Sequence, residues 1–481
     1  MSEAAIQVRH LIGGEWLGSA GGEARTNPSD TSELVATLPA SDVGIVDQAV
    51  AAARTAQPLW ANATPEFRAD CLHKAGELVL ARAKDLGRLL SREEGKTLAE
   101  GIGEVVRAGR ILRYFAGEAI RRHGMTLDSV RAGVDVQTFR DPLGVVGLIT
   151  PWNFPIAIPA WKSAPALAFG NTVVMKPASH TAAIAATLAA IYEEAGMPPG
   201  VFNLIVGPGS IGGALVRHPG VDAVSFTGSQ TVGGIVAADA ATRQARFQLE
   251  MGGKNPLVVL DDADLDRAVQ IAVDGAFFGT GQRCTASSRL IVTDAIHDRF
   301  LAAMASRMDA LRVGNALDPE THIGPAVSET QQAQDIGFVE RAIADGARLI
   351  SGGDPVESRT RGWFVRPTLL ADTTAEMEIN TSEVFGPVAS VLRVKDYDAA
   401  LETANHGEFG LSAGIVTQSL KHSRHFQRSV RAGMVMVNLP TAGVDYHVPF
   451  GGMGRSSFGS REQGFAAVEF YTQIRTVYAT A

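Results

Sequence analysis

Cys284, in GQRCTASS, is the residue of this 481-residue chain whose surroundings most favour covalent chemistry. A lone cysteine is more often a buried structural residue. Here small polar neighbours leave room for a substrate, and nearby backbone amides or Arg283 favour the thiolate, the form that attacks. Glu250 stands one residue ahead of the paired glycines of QLEMGGKNP. It is either a carboxylate near a strand end or a general base on a flexible turn, able to swing toward a cysteine or a water. Asn153 lies in TPWNFP (150–155), a stiff turn with two prolines and an aromatic pair. Its side-chain N–H suits a developing oxyanion, a donor worth roughly 3–4 kcal/mol. Capping the following helix is the plainer role open to it.

A second set of residues could hold phosphate. VFNLIVGPGSIGG places Gly207, Gly209 and Gly212 at the spacing G-x-G-x-x-G between a strand-like run and a helical one. The dinucleotide fingerprint also expects an acid about twenty residues on, for the ribose. Val232 occupies that place, with no acid within three residues of it, so this match alone decides little. SFTGSQTVGG offers Gly228, Ser229 and Gly233 at another strand–turn–helix junction, where a helix N-terminus and a hydroxyl can hold a pyrophosphate. NTVVMKPAS puts Lys176 and Ser179 at a further strand end. A lysine there is either a solvated charge or a ligand for ribose hydroxyls or phosphate.

The elements that must position these groups alternate. Residues 42–122 read as helices, with apolar and small residues at helical spacing. GVVGLIT (144–150), NTVVMK (171–176), VFNLIV (201–206), DAVSFTG (222–228) and NPLVVLD (255–261) read as buried strands separated by helix-length segments. That alternation predicts a parallel, doubly wound sheet covered on both faces. A second series begins at SSRLIVTD (287–294), continues through the helix AIHDRFLAAMASRMDALRVG and then ARLISGG, VLRVKD, AGIVTQ and MVMVNL, and predicts a second α/β domain. VDVQTFR (134–140) and FYTQIRTVYAT (470–480) fit neither series. They read as exposed strands, which usually find a partner, so subunit pairing is expected there.

Length calls for two or three domains. A net charge of −8 gives no basic face for nucleic acid or an acidic membrane. Two cysteines, Cys71 and Cys284, exclude a disulfide framework and fit a reducing compartment. The opening MSEAAIQVRHLIGG has no apolar core behind a basic start, and the most apolar stretch, 156–175, is broken by Lys162 and by prolines. A cytoplasmic enzyme, without nucleic-acid or membrane partners, is the expectation.

TPWNFP, GNTVVMKPAS, FTGS, LEMGGKNP, GQRC, SEVFGPV and PFGGMGRSS, in that order and over essentially the whole chain, resemble the NAD(P)-dependent aldehyde dehydrogenase superfamily. The resemblance implies an α/β fold of two doubly wound domains plus a small bridging β element for oligomerisation. The implied boundaries are 1–122 and 143–251 for the cofactor-binding domain, 252–464 for the catalytic domain, and 123–142 with 465–481 for the bridge. It further implies Cys284 as nucleophile, Glu250 as general base, Asn153 with the backbone N–H of Cys284 as oxyanion hole, Lys162 beside the base, and Glu462 near a proton exit. Thr150, Pro151, Trp152, Lys176, Ser179, Gly209, Gly212, Phe226, Gly228, Ser229 and Met251 fall where the family binds the dinucleotide, with Glu383 on the nicotinamide ribose and Phe385 near the nicotinamide. No metal is implied. The implied mechanism runs through a thiohemiacetal and a thioester that Glu250-activated water hydrolyses. Family members specific for NAD commonly have a glutamate where this chain has Ser179. Its loss removes repulsion from a 2′-phosphate and frees Lys176 to meet one, so NADP is expected to be accepted and preferred over NAD.

The C-terminal run NLPTAGVDYHVPFGGMGRSSFGSREQGFAAVEFYT and FFGTGQRCTASSRLIV resemble the α-ketoglutaric semialdehyde (2,5-dioxopentanoate) dehydrogenases. A short aldehyde with a distal carboxylate needs a cation some distance from the cysteine. Arg107 is the first choice, Arg283 and Arg455 are others, and Phe154 and Phe450 complete the expected substrate set. Each arginine has surface placement as its plainer alternative. Succinate semialdehyde, or a neutral aliphatic or aromatic aldehyde, is the competing substrate. A CoA-acylating variant is disfavoured by Glu250, and a non-catalytic structural relative by the retention of Cys284, Glu250 and Asn153 together. A homodimer or dimer-of-dimers tetramer is expected.

Overall fold

The computed structural model describes residues 4–121 and 124–480. The expected domain limits at 1, 122, 123 and 481, and the first three residues of the amino-terminal reading, lie outside them. Two large sheets dominate. In the first, five parallel strands lie in the order Arg246–Glu250, Ala223–Thr227, Val145–Ile149, Thr172–Lys176, Phe202–Leu204. They are short runs, largely buried on both faces, which is what helices on either side of a parallel sheet require. His10–Ile12 and Glu15–Leu17 extend one edge, and Ser457–Phe458 pairs antiparallel with Arg246–Glu250 at the other.

The second sheet runs Arg348–Ser351, Thr368–Ala371, Val388–Val394, Ser287–Thr293, Asn255–Val259, Ser412–Val416, Met434–Val437, parallel except at its first edge. NPLVVLD therefore opens this sheet rather than closing the first, and RFQLE is the strand that takes its place. An apolar run buried on both faces carries no mark of the sheet it joins.

The helices Gly44–Asn62, Pro65–Ala81, Ala83–Glu94 and Leu98–Ala119 form where periodicity predicts them. Their limits are set by local chemistry. Thr64 caps the second with Pro65 at its first position, Gly95 in the left-handed region ends the third, and Thr97 and Glu100 form a reciprocal capping box on the fourth. Asp135–Pro142 pairs antiparallel with Thr472–Ala479 over eight residues and with Thr126–Asp128, so the two orphan strands find each other. A three-stranded sheet of Ile6–Gln7, Asp30–Pro39 and Ala20–Asn27 was not anticipated by the sequence reading. Among the described residues no helix is long and apolar enough to cross a membrane.

Candidate active site

In the first sheet the chain builds outward from Val145–Ile149 through Thr172–Lys176 to Phe202–Leu204, then returns to lay Ala223–Thr227 on the other side. Strand order reverses there, and crevices at such switch points open beyond the strands' carboxyl ends. Register brings the motifs level: Ile149 faces Lys176 and Phe226, and Thr227 faces Glu250. A cavity of about 280 Å³ opens at this point, lined by Trp152, Gly228, Ser229, Glu250, Glu383 and Phe385 among others. A second, of about 290 Å³, lies on the other side of Cys284 and reaches Arg107 and Phe154. Asn153, Trp161, Cys284 and Phe450 line both. The cysteine thus stands at the junction of two spaces, one for each reactant of a two-substrate reaction.

The loop that carries Cys284 is tightly constrained. Gly279, Thr280 and Gly281 all have positive φ, and a Cβ on Gly281 would collide with the carbonyl of Gly386. The backbone amides of Cys284 and Thr285 lie where they favour the thiolate, while Asn255 Nδ2 holds the Cys284 carbonyl at 2.8 Å. Asn153 Nδ2 donates to the Gln282 carbonyl at 3.0 Å, which keeps its second N–H for the cavities it lines. It caps no helix: the following one, Ala157–Ala168, is preceded by Ile156 and has no side-chain cap. Instead Lys96 Nζ holds the Asn153 carbonyl at 2.7 Å and Glu104 at 2.6 Å, and Glu104 accepts from the amides of Ile156 and Ala157, both at 3.1 Å. Lys96 and Glu104 clamp the whole turn, and nothing in a one-dimensional motif marks them.

Electrostatics set the resting proton state. Burial, then the charges of Glu383 and Glu250, pushes the Cys284 thiol up to about 12. Burial and the charge of Glu462 hold Glu250 well above the usual carboxylate range, although Ser457 Oγ donates to it at 2.6 Å. Burial thus keeps the Cys284 thiol protonated in the neutral range and biases Glu250 toward its neutral form. Behind Glu250 lies a buried network. Lys162 Nζ pairs with Glu462 and donates to Ser225 at 2.7 Å, and Trp161 Nε1 donates to the other Glu462 oxygen at 2.6 Å. Gln248 Nε2 reaches both Ser225 and Glu462. Glu462 is fixed by backbone bonds to Phe450 in both directions.

The dinucleotide side has groups fit for such a ligand. Among the described residues the buried hydroxyls of Thr150 and Thr227 lack partners, and Phe226 lies beneath Gly228. Glu383 accepts from the Gly253 amide at 2.9 Å, at an approach so close that any Cβ on Gly252 would overlap it. Burial raises Glu383 to about 7. Phe385 has φ +66° and meets Trp152 edge-on at 5.4 Å, while Pro151 and Met251 line the same cavity. Farther along, Gly212 borders the Lys176 stem, and Ser179 Oγ donates to Gly207 O at 2.9 Å. Burial, and then nearby Arg25, lowers Lys176 to about 8. Arg25, on a strand of the unanticipated sheet, was invisible to the sequence reading. Gly209 opens the helix Gly209–Arg217 and lines neither cavity.

The three arginines separate. Arg107, on Leu98–Ala119, lines the aldehyde-side cavity with its guanidinium 5.8 Å from the Trp161 ring. Arg283 reaches the cavity with its stem, but its guanidinium donates to the carbonyls of Asp274 and Gly275 at the end of the helix Leu265–Ala276. Arg455 is exposed beside Glu408 and lines neither cavity. No metal-ligating group of three or more His, Cys, Asp or Glu occurs among the described residues.

With this geometry in hand, the comparisons agree. Residues 16–477 match the model of the aldehyde dehydrogenase family. The chain is 43% identical over 474 residues to the α-ketoglutaric semialdehyde dehydrogenase of Bacillus subtilis, covering 98% of this chain and 97% of that one. Betaine aldehyde dehydrogenase from Staphylococcus aureus, solved in complex with NAD+, superposes with a TM-score of 0.95 at 32% identity, covering 98% and 95% of the two chains. An NADP-dependent enzyme of E. coli gives 0.95 at 36% identity, covering 99% and 98%.

Proposed function

The chain belongs to the aldehyde dehydrogenase family, and from that premise we propose that it oxidises α-ketoglutaric semialdehyde to 2-oxoglutarate. It is an NAD(P)-dependent enzyme. The observation that carries the substrate is Arg107: a buried guanidinium edge, its Nε without a partner among the described residues, in the same cavity as Cys284 and Asn153. Such a group favours a distal carboxylate and repels the quaternary ammonium of betaine aldehyde.

Bound NAD(P)+ supplies the hydride acceptor, in a cleft formed by Trp152, Gly228, Ser229, Glu383 and Phe385. In the reading we favour, Cys284 releases its thiol proton to water, the thiolate Sγ adds to the aldehyde carbon, and the oxyanion accepts from Asn153 Nδ2 and the Cys284 N–H. After oxidation the carbon is a thioester on Cys284. Glu250, as the ionised carboxylate, leaves Ser457 and takes a proton from water, and the hydroxide attacks the thioester to release the acid and the thiol. Lys162, Ser225 and Glu462 hold a proton path behind it. Thioester hydrolysis by this base supports a non-acylating reaction. We assign 1–122 and 143–251 to cofactor binding, 252–464 to catalysis, and the strand pair at 123–142 and 465–481 to pairing of subunits in a dimer or tetramer. The reading places the enzyme in the cytoplasm, where Cys284 stays a free thiol.

NADP is the cofactor this reading prefers, since Ser179 leaves no carboxylate beside Lys176 and Arg25 adds positive charge nearby. The test is a panel of aldehydes of rising length, with and without a terminal carboxylate and including betaine aldehyde, assayed with both cofactors. The five-carbon semialdehyde acid should have the highest kcat/KM, and Arg107→Leu should raise its KM far more than that of propanal. Equal effects on both substrates remove Arg107 from the site. A kcat/KM favouring NAD at least tenfold rejects the cofactor preference.

A further inference from the structure

Gln463 is fully buried, yet its backbone sits at φ +59°, ψ 170°, a region that residues with a side chain rarely occupy. Something must hold it there. On one side Glu462 is locked to Phe450 by two backbone bonds; on the other Gly464 also has positive φ. The strain places the Gln463 amide against the helix Leu98–Ala119. There its Oε1 accepts from Arg107 Nη2 at 3.1 Å. Among the described residues this is the one hydrogen bond the guanidinium makes. Among the described residues, Arg107 Nε and Gln463 Nε2 are both buried and both without a partner. Arg107 lines the aldehyde-side cavity with Gln463 behind it, and a carboxylate meeting the guanidinium from the cavity would answer donors that are left over.

We propose that Gln463 is a positioning residue that determines specificity, its side-chain oxygen fixing the Arg107 guanidinium where the distal carboxylate of the substrate meets it. This rests on the reading of Arg107 given above. A glutamine suits the task because its oxygen orients the guanidinium without neutralising it; a glutamate there would pair with the cation and occupy it. Acting through Arg107, Gln463 should govern recognition of the carboxylate and have no part in the chemistry at Cys284.

The test is a mutant cycle on the full-length enzyme with Gln463→Leu, Gln463→Glu, Arg107→Leu and the double variant Gln463→Leu/Arg107→Leu. The readouts are kcat and KM for the semialdehyde acid and for propanal, together with inhibition by glutarate. Gln463→Leu should lower the acid-to-propanal ratio of kcat/KM about tenfold, through KM rather than kcat, and weaken glutarate by a similar factor. Gln463→Glu should lower the ratio further. In the Arg107→Leu background, Gln463→Leu should add nothing to the ratio. A ratio unmoved by Gln463→Leu and Gln463→Glu but lowered by Arg107→Leu overturns this inference and leaves the substrate reading standing. A ratio that Arg107→Leu itself does not move overturns the substrate reading. Should Gln463→Leu fail to fold, Gln463→Glu, which keeps size and polarity, decides alone.

Discussion

At Cys284 the competing demands on a nucleophile can be read directly. Two backbone amides favour the thiolate, yet burial and two nearby carboxylates outweigh them and keep the thiol protonated, with its pKa up to about 12. For a group with so high a pKa the thiolate is the minor form throughout the neutral range, and its fraction grows tenfold per pH unit. Inactivation of the cofactor-free enzyme by iodoacetamide should therefore accelerate about tenfold per unit from pH 7 to 10. A plateau below pH 8 would show an activated resting thiolate instead. Glu250 is raised as well, and it faces Ser457 rather than the sulfur. The role proposed for it is in the second half-reaction. Glu250→Gln should preserve a single-turnover burst of NAD(P)H while slowing steady-state turnover on the order of 10²–10⁴-fold. Rapid-mixing absorbance separates the two phases, and loss of the burst together with turnover would assign Glu250 to the first step.

Elements position these residues by means a motif does not display. The helix Glu329–Ala344 holds the loop that carries Glu383 and Phe385: Gln331 and Gln334 donate to the Val384 carbonyl at 3.2 and 3.1 Å, and both line the cofactor-side cavity. Asp335, on the same helix, packs against Gly386 so closely that a Cβ there would overlap its carboxyl group. Its Oδ1 accepts from Gln331 at 2.8 Å, its Oδ2 has no partner, and burial pushes it up to about 8. The folded state thus holds a proton that the unfolded chain releases near pH 4. Stability from this group is complete below pH 4 and is lost as pH rises toward 8. Asp335→Asn removes the ionisation, so its Tm relative to wild type should climb between pH 5 and 8 in calorimetric scans. A Tm difference independent of pH would mean that Asp335 already ionises in the fold.

For the molecule as a whole, the strand pair Asp135–Pro142 and Thr472–Ala479 joins two segments more than 300 residues apart. Thr472–Ala479 forms an edge of its sheet, and Ile474 and Tyr478, four residues apart on one face, are about 60% exposed. An unpaired edge with apolar side chains is costly to leave in water, and a second copy of the chain is the economical cover. Ile474→Asp with Tyr478→Asp should shift the protein to monomer in size-exclusion chromatography with light scattering. An unchanged mass would move the subunit interface elsewhere.

Chemistry that depends on local order was legible in one dimension. Cys284 among small residues, Glu250 before two glycines, and the stiff turn around Asn153 are each defined by immediate neighbours, and the β–α alternation follows from periodicity. Arg107 could be named as the first choice ahead of Arg283 and Arg455, but the contacts that set the three apart could not be read, because a guanidinium's partner depends on which elements approach it. Arg283 ends on helix carbonyls and Arg455 on Glu408, while Arg107 faces the cavity. The hold of Lys96 and Glu104 on the Asn153 turn, the Ser457 contact to Glu250 and the hold of Gln463 on Arg107 join residues 52 to 356 positions apart. Local sequence determined which groups are present and what they can do. Tertiary structure decided which of them are buried together, and burial sets their protonation, their partners and so their roles.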